Sequence, residues 1–70
     1  MSMPAPYTLR QQLIAVADVL ESAYHRGGSL QRSAHDASAS GGFALTNDLW
    51  ESAHRLLWAR IEAERSFREV

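Results

Sequence analysis

The sequence predicts an all-α fold: an antiparallel helical hairpin of two long helices, with a possible short middle helix, that assembles as a homo-oligomeric helical bundle. Apolar residues with helical spacing, in residues 8–26 and again in residues 46–69, predict the long helices. The intervening residues 27–45 contain all four glycines of the chain. A chain of 70 residues predicts a single small domain.

The first helix is expected over residues 8–26, after a flexible lead-in formed by residues 1–7. The hydroxyl of Thr8 is suited to accept a hydrogen bond from the first turn and so to cap the helix. Gly27 is suited to end it, because glycine readily adopts the left-handed conformation that terminates helices. The apolar stripe that predicts this helix comprises Leu9, Leu13, Val16, Leu20 and Ala23.

The connection formed by residues 27–45 leaves two alternatives open. Ser29 is suited to cap a short helix over residues 29–38, which would have a thin apolar edge. The other alternative is a mobile loop that becomes ordered on a partner. The glycines lack the lysine of a phosphate-binding loop, so no nucleotide loop is expected here. The thin edge of the possible helix comprises Leu30, Ala34 and Ala37.

The second long helix is expected over residues 46–69, with Thr46 or Asp48 as its cap. When this segment is projected at about 100° per residue, its apolar residues cover roughly half of the circumference. A single neighbouring helix covers less than that, so we expect a homodimer or higher oligomer in which two hairpins share one core. The apolar arc comprises Leu49, Trp50, Ala53, Leu56, Leu57, Ala59, Ile61, Ala63 and Phe67.

Two charged residues, Arg60 and Glu64, fall inside this apolar arc. They are four positions apart, so they are expected to pair with each other. In an antiparallel hairpin, Arg10 would also come near Glu64. Three interpretations remain: an ion pair at the subunit seam that sets register, a polar site for an anionic ligand or acidic partner, or a helix end that leaves both residues exposed.

Trp58 projects away from the apolar arc and is flanked by Arg55 and Arg65. One interpretation is an indole half covered by the stems of neighbouring arginines. Another is an interface with a second protein, since tryptophan and arginine are enriched at interface hot spots. Stacking on a nucleic-acid base is the third.

Composition argues against several classes of function. The chain has no cysteine, which excludes disulfides and thiolate zinc sites. Its net charge of −1 and interleaved signs argue against nucleic acid as a partner. The apolar run 13–17 is too short for a membrane span, so we expect a cytoplasmic protein with no membrane partner. His25, His35 and His54 are scattered, and we expect no catalytic group, metal site or cofactor.

These observations predict a small non-enzymatic protein-interaction module, regulatory or inhibitory, that binds itself and a protein target through helix faces. Its size also suggests an origin in a phage or mobile element. The alternative is an oligomer that binds an anionic or nucleotide-type small molecule at a subunit seam. The candidate binding residues are Tyr24, Trp50, Arg55, Trp58, Arg60, Glu64 and Arg65.

Overall fold

The structure, a computed structural model, describes residues 7–68 and is all-helical. Within that range there is no strand, and the chain forms helices α1 (Leu9–Arg26), α2 (Leu30–Gly41) and α3 (Asn47–Arg68). The prediction of an all-α fold is therefore confirmed. The expected lead-in, except Tyr7, and the expected helix end at residue 69 lie outside the described residues. None of the described helices has the length and apolar character needed to cross a membrane.

Helix α1 is closed at both ends by local hydrogen bonds. The Thr8 hydroxyl accepts from the backbone N–H of Gln11 at 3.1 Å, and the Gln11 side chain accepts from the backbone N–H of Thr8 at 2.8 Å. At the other end Gly27 has φ 73°, and the N–H of Gly28 donates to the carbonyl of Ala23 at 2.8 Å. Replacing Gly27 with a residue that has a Cβ would lower the free energy of unfolding by about 1–2 kcal/mol, because such residues disfavour the left-handed conformation.

A helix, not a loop, occupies most of the glycine-bracketed connection. Helix α2 spans Leu30–Gly41, so it continues beyond the short helix considered over residues 29–38. Ser29 caps it, because its hydroxyl accepts from the backbone N–H of Arg32 at 3.2 Å. Its buried residues, Ala34 and Ser38, have small side chains, which lets α2 lie close to α1.

The end of α2 returns the chain to the start of α1. Gly42 has φ 72°, and the N–H of Phe43 donates to the carbonyl of Ser38 at 3.1 Å. A Cβ at Gly41 would lie 2.5 Å from a carbon of the Phe43 ring, so the ring packs against the bare backbone. That ring also contacts Tyr7, with centroids 5.8 Å apart. Helices α1 and α2 are therefore antiparallel.

The two long helices run in the same direction, which differs from the expected hairpin. Near their starts, Leu13 and Leu49 line one groove of about 450 Å³. Near the end of α1, the imidazole of His25 lies 3.9 Å from the carboxylate of Glu64. The direction differs because the turn at residues 27–29 reverses the chain once and residues 42–46 reverse it a second time.

Helix α1 lies at the centre of the fold. It packs against both α2 and α3, which make few contacts with each other. The largest fully buried side chains are Val16 and Leu20 of α1 and Leu57 of α3. The core cluster comprises Val16, Leu20, Ala34, Leu49, Ala53, Leu57 and Ile61.

Only part of the apolar arc of α3 is used by this core. The buried residues of α3 recur at every fourth position from Leu49 to Ile61. On one side of them Leu56 is half-buried, and Phe67 is 83% exposed. We call this side the apolar edge of α3; it comprises Leu56, Ala59, Ala63 and Phe67.

We expect Leu57→Ala to lower the free energy of unfolding by about 2–5 kcal/mol, because the side chain is fully buried. The matched variant Leu56→Ala, at a half-buried position, should cost less than about half as much. Urea unfolding followed by circular dichroism measures both. Equal losses would contradict the orientation of α3 described above.

Candidate functional site

Five rings from α1 and α3 form a continuous row, here called the aromatic row. In order they are Trp50, His54, Trp58, Tyr24 and His25, and successive ring centroids are 5.6, 5.9, 5.7 and 5.6 Å apart. The first three recur at every fourth position of α3, so they share one helix face. The row continues onto α1 because the two helices run in parallel.

Trp58 is held from two sides within this row. Its ring meets Tyr24 at 76° and His54 at 75°, both edge-to-face arrangements that aromatic pairs favour. Its indole N–H donates to Nε2 of His54 at 3.2 Å. Trp58 and Tyr24 nevertheless remain 43% and 42% exposed. The indole is thus partly covered, as one interpretation of the sequence predicts, and the contacts that cover it include Tyr24 and His54.

Charged residues of both signs surround Trp58. Arg55, Glu62 and Arg65 are exposed, and on a helical projection each lies within about 60° of Trp58. The ion pairs found among residues 7–68 include none of these three. The rim of the aromatic row is therefore mixed in charge.

Arg60 connects the two parallel helices. Its Nη1 lies 2.8 Å from Oδ1 of Asp18 and 3.4 Å from Oε2 of Glu21, and its side chain is 29% exposed. The expected pairing of Arg60 with Glu64 is not found among the described ion pairs. Arg60 instead pairs with Asp18 and Glu21 of α1, across the interface between the two helices.

Glu64 contacts different partners from those expected. Its Oε1 accepts from Nη2 of Arg68 at 3.1 Å, and its Oε2 lies 3.9 Å from Nε2 of His25. Arg10, which an antiparallel hairpin would have placed near Glu64, instead lines the groove at the start of α3.

These contacts assemble a cluster that sequence reasoning missed. Donor atoms of Glu21, His25 and Glu64 lie within 4.8 Å of one another. The spacing of Glu21 and His25, four positions apart on α1, was visible in the sequence. The position of Glu64 was not, because it depends on the direction of α3.

The seven candidate residues therefore fall into three groups. Three aromatic candidates lie in the row, two charged ones lie at the α1–α3 interface, and two arginines lie on the rim. Sequence reasoning missed the participation of both histidines of the row. The groups are, in that order, Tyr24, Trp50 and Trp58; Arg60 and Glu64; Arg55 and Arg65.

The chain matches no protein-family model, and comparisons with curated proteins and with solved structures also found no match.

We expect Arg60→Ala to lower the free energy of unfolding by about 1–2 kcal/mol, because it removes charge-assisted hydrogen bonds to α1. The matched variant Arg68→Ala, which removes an exposed pair within one helix, should cost less than about 0.5 kcal/mol. Chemical unfolding at low and high salt measures both. Identical losses in the two variants would show that the bonds from Arg60 to α1 do not stabilise the fold.

Proposed function

We propose that the chain is a small non-enzymatic protein-interaction module, regulatory or inhibitory, whose aromatic row binds a protein partner. The observation that carries this proposal is the pair of adjacent, half-exposed rings of Tyr24 and Trp58. Buried aromatic side chains dominate the energetics of protein interfaces, and tryptophan and tyrosine are enriched among hot-spot residues.

The fixed orientation of Trp58 supports this role. An exposed side chain usually loses rotamer freedom when a partner immobilises it, which costs about 0.5–1.5 kcal/mol. Contacts with Tyr24 and His54 already restrict the Trp58 ring in the free chain. Less entropy is therefore lost on binding, and more of the contact energy contributes to affinity.

The charges around the row favour a protein over a nucleic acid as the partner. Glu62 lies between Arg55 and Trp58 on the helical projection, and its carboxylate would repel a phosphate backbone. A protein surface with charges of both signs can match the rim formed by Arg55, Glu62 and Arg65.

The chain is also proposed to bind itself, as a homodimer or higher oligomer. A small domain buries a modest fraction of its surface, and the apolar edge of α3 remains at the surface of the single chain. Association of two chains along this edge would remove it from water. On the projection of α3 the edge and the aromatic row lie on opposite sides of the buried stripe, so both surfaces can be used at once.

The small-molecule alternative has less support. The guanidinium of Arg60 is engaged by Asp18 and Glu21, so an anionic ligand would have to displace two carboxylates.

A cytoplasmic location remains part of the proposal, on the basis of the absence of cysteine.

Trp58→Ala tests the aromatic row. We expect it to weaken partner binding by about 2 kcal/mol or more, the scale of a hot spot, while stability changes by no more than about 1 kcal/mol. Ile14→Ala, which shortens a similarly exposed apolar side chain outside both the row and the apolar edge of α3, is the matched control. Immobilised wild-type and variant chains are incubated with a cell extract, and the captured proteins are quantified by mass spectrometry.

A supporting result is a protein retained by wild type and Ile14→Ala but lost from Trp58→Ala, with the affinities then measured by titration calorimetry. Capture of the same proteins in equal amounts by both variants would refute the aromatic row as the binding surface.

Sedimentation equilibrium tests self-association. The wild-type species should have at least twice the chain mass of 7.8 kDa at micromolar concentration. Ala63→Asp places a charge in the apolar edge at an exposed position, so the chain should dissociate without loss of helicity. Ala39→Asp, the same change at an exposed position of α2, is the control and should leave the mass unchanged. A wild-type chain that is monomeric, folded and cooperative in unfolding would refute self-association along the apolar edge.

A further inference from the structure

At one end of the α1–α3 interface, one imidazole and two carboxylates lie close together. Glu21 and His25 lie one helical turn apart on α1, and α3 contributes Glu64. One donor atom from each residue lies within 4.8 Å of the other two. Nε2 of His25 and Oε2 of Glu64 are 3.9 Å apart, which is too long for a hydrogen bond. The three donors therefore lie close together, and the contact between His25 and Glu64 is not a hydrogen bond.

The spacing of these donors is close to that around a bound metal ion. Zinc binds imidazole nitrogen and carboxylate oxygen at about 2.0–2.2 Å, which places neighbouring donor atoms about 3–3.5 Å apart. Side-chain rotations that shorten the observed separations by roughly 1 Å would complete the contacts. Rotations of this size are available, because the side chains of His25 and Glu64 are 53% and 41% exposed.

We propose that Glu21, His25 and Glu64 bind a divalent transition-metal ion of the zinc class. Two carboxylates neutralise the charge of the ion, and imidazole favours zinc, cobalt or nickel over magnesium or calcium. Water fills the remaining coordination positions at this exposed site. The proposal does not rest on the function proposed for the aromatic row.

Two arginines next to the cluster each contact one oxygen of a cluster carboxylate. Arg68 contacts Oε1 of Glu64, and Oε2 of the same carboxylate faces His25. Arg60 contacts Oε2 of Glu21 at 3.4 Å, and the ion pairs found among residues 7–68 do not involve the other oxygen, Oε1. Outer hydrogen bonds of this kind orient carboxylate ligands. The positive charges also oppose a cation, so we expect weaker binding than at a closed structural zinc site.

Titration calorimetry with zinc chloride tests the site in the full-length, tag-free chain. We expect one ion per chain for wild type and at least a tenfold lower affinity for His25→Gln and for Glu64→Gln. His35→Gln and His54→Gln are the matched controls, because they remove imidazoles outside the cluster, and they should bind zinc as wild type does. Circular dichroism verifies that each variant folds.

A second measurement locates the ion independently of the heat. In a Trp50→Phe background the remaining tryptophan is Trp58, which contacts Tyr24, and Tyr24 contacts His25. Nickel chloride should quench its fluorescence, and His25→Gln should abolish the quenching at the same nickel concentration. Unchanged zinc affinity in His25→Gln, unchanged quenching in that variant, or no zinc binding by wild type at millimolar zinc would each overturn the proposal.

Discussion

Every contact between α1 and α3 depends on two chain reversals, each of which begins at a glycine in the left-handed conformation. Gly27 ends α1 and Gly42 ends α2, with φ values of 73° and 72°. Two reversals return α3 to the direction of α1, whereas one would have placed the end of α3 beside the start of α1. This shared direction places Trp58 beside Tyr24. It also brings Glu64 of α3 close to Glu21 and His25 of α1.

Arg60 explains how the interface tolerates charge inside an apolar face. A buried charge without a partner is strongly destabilising, but Arg60 remains 29% exposed and contacts two carboxylates. A single nitrogen of the guanidinium, Nη1, contacts both Asp18 and Glu21, because it carries two N–H donors. Both carboxylates belong to α1, so the contact also sets how far α3 is displaced along α1. The position of Glu64 relative to His25 depends on that displacement.

Features encoded by adjacent residues could be predicted from the sequence, and features that depend on chain direction could not. The ends of α1 follow from local signals, such as the glycine at Gly27, which act within a few positions. Residues 27–45 remained ambiguous because small side chains give weak periodicity, and the direction of α3 depended on them. A helical projection correctly placed Trp58 at the surface. It could not identify the residue of α1 that covers Trp58, nor the partners of Arg60, because those contacts cross an interface.

The proposed metal site and the proposed binding surface meet at one pair of rings. His25 belongs to the proposed metal site, and its ring packs edge-on against Tyr24, which in turn contacts Trp58. A metal ion on His25 would restrict its imidazole and thereby the ring that supports Trp58. A surface that is already ordered loses less entropy when a partner binds. Linkage between two binding sites is reciprocal. If the metal raises the affinity for a partner on the aromatic row by some factor, the partner raises the affinity for the metal by the same factor. The apolar edge of α3 lies on the other side of the buried stripe from Trp50, His54 and Trp58, so the proposed self-association along it would leave the aromatic row accessible.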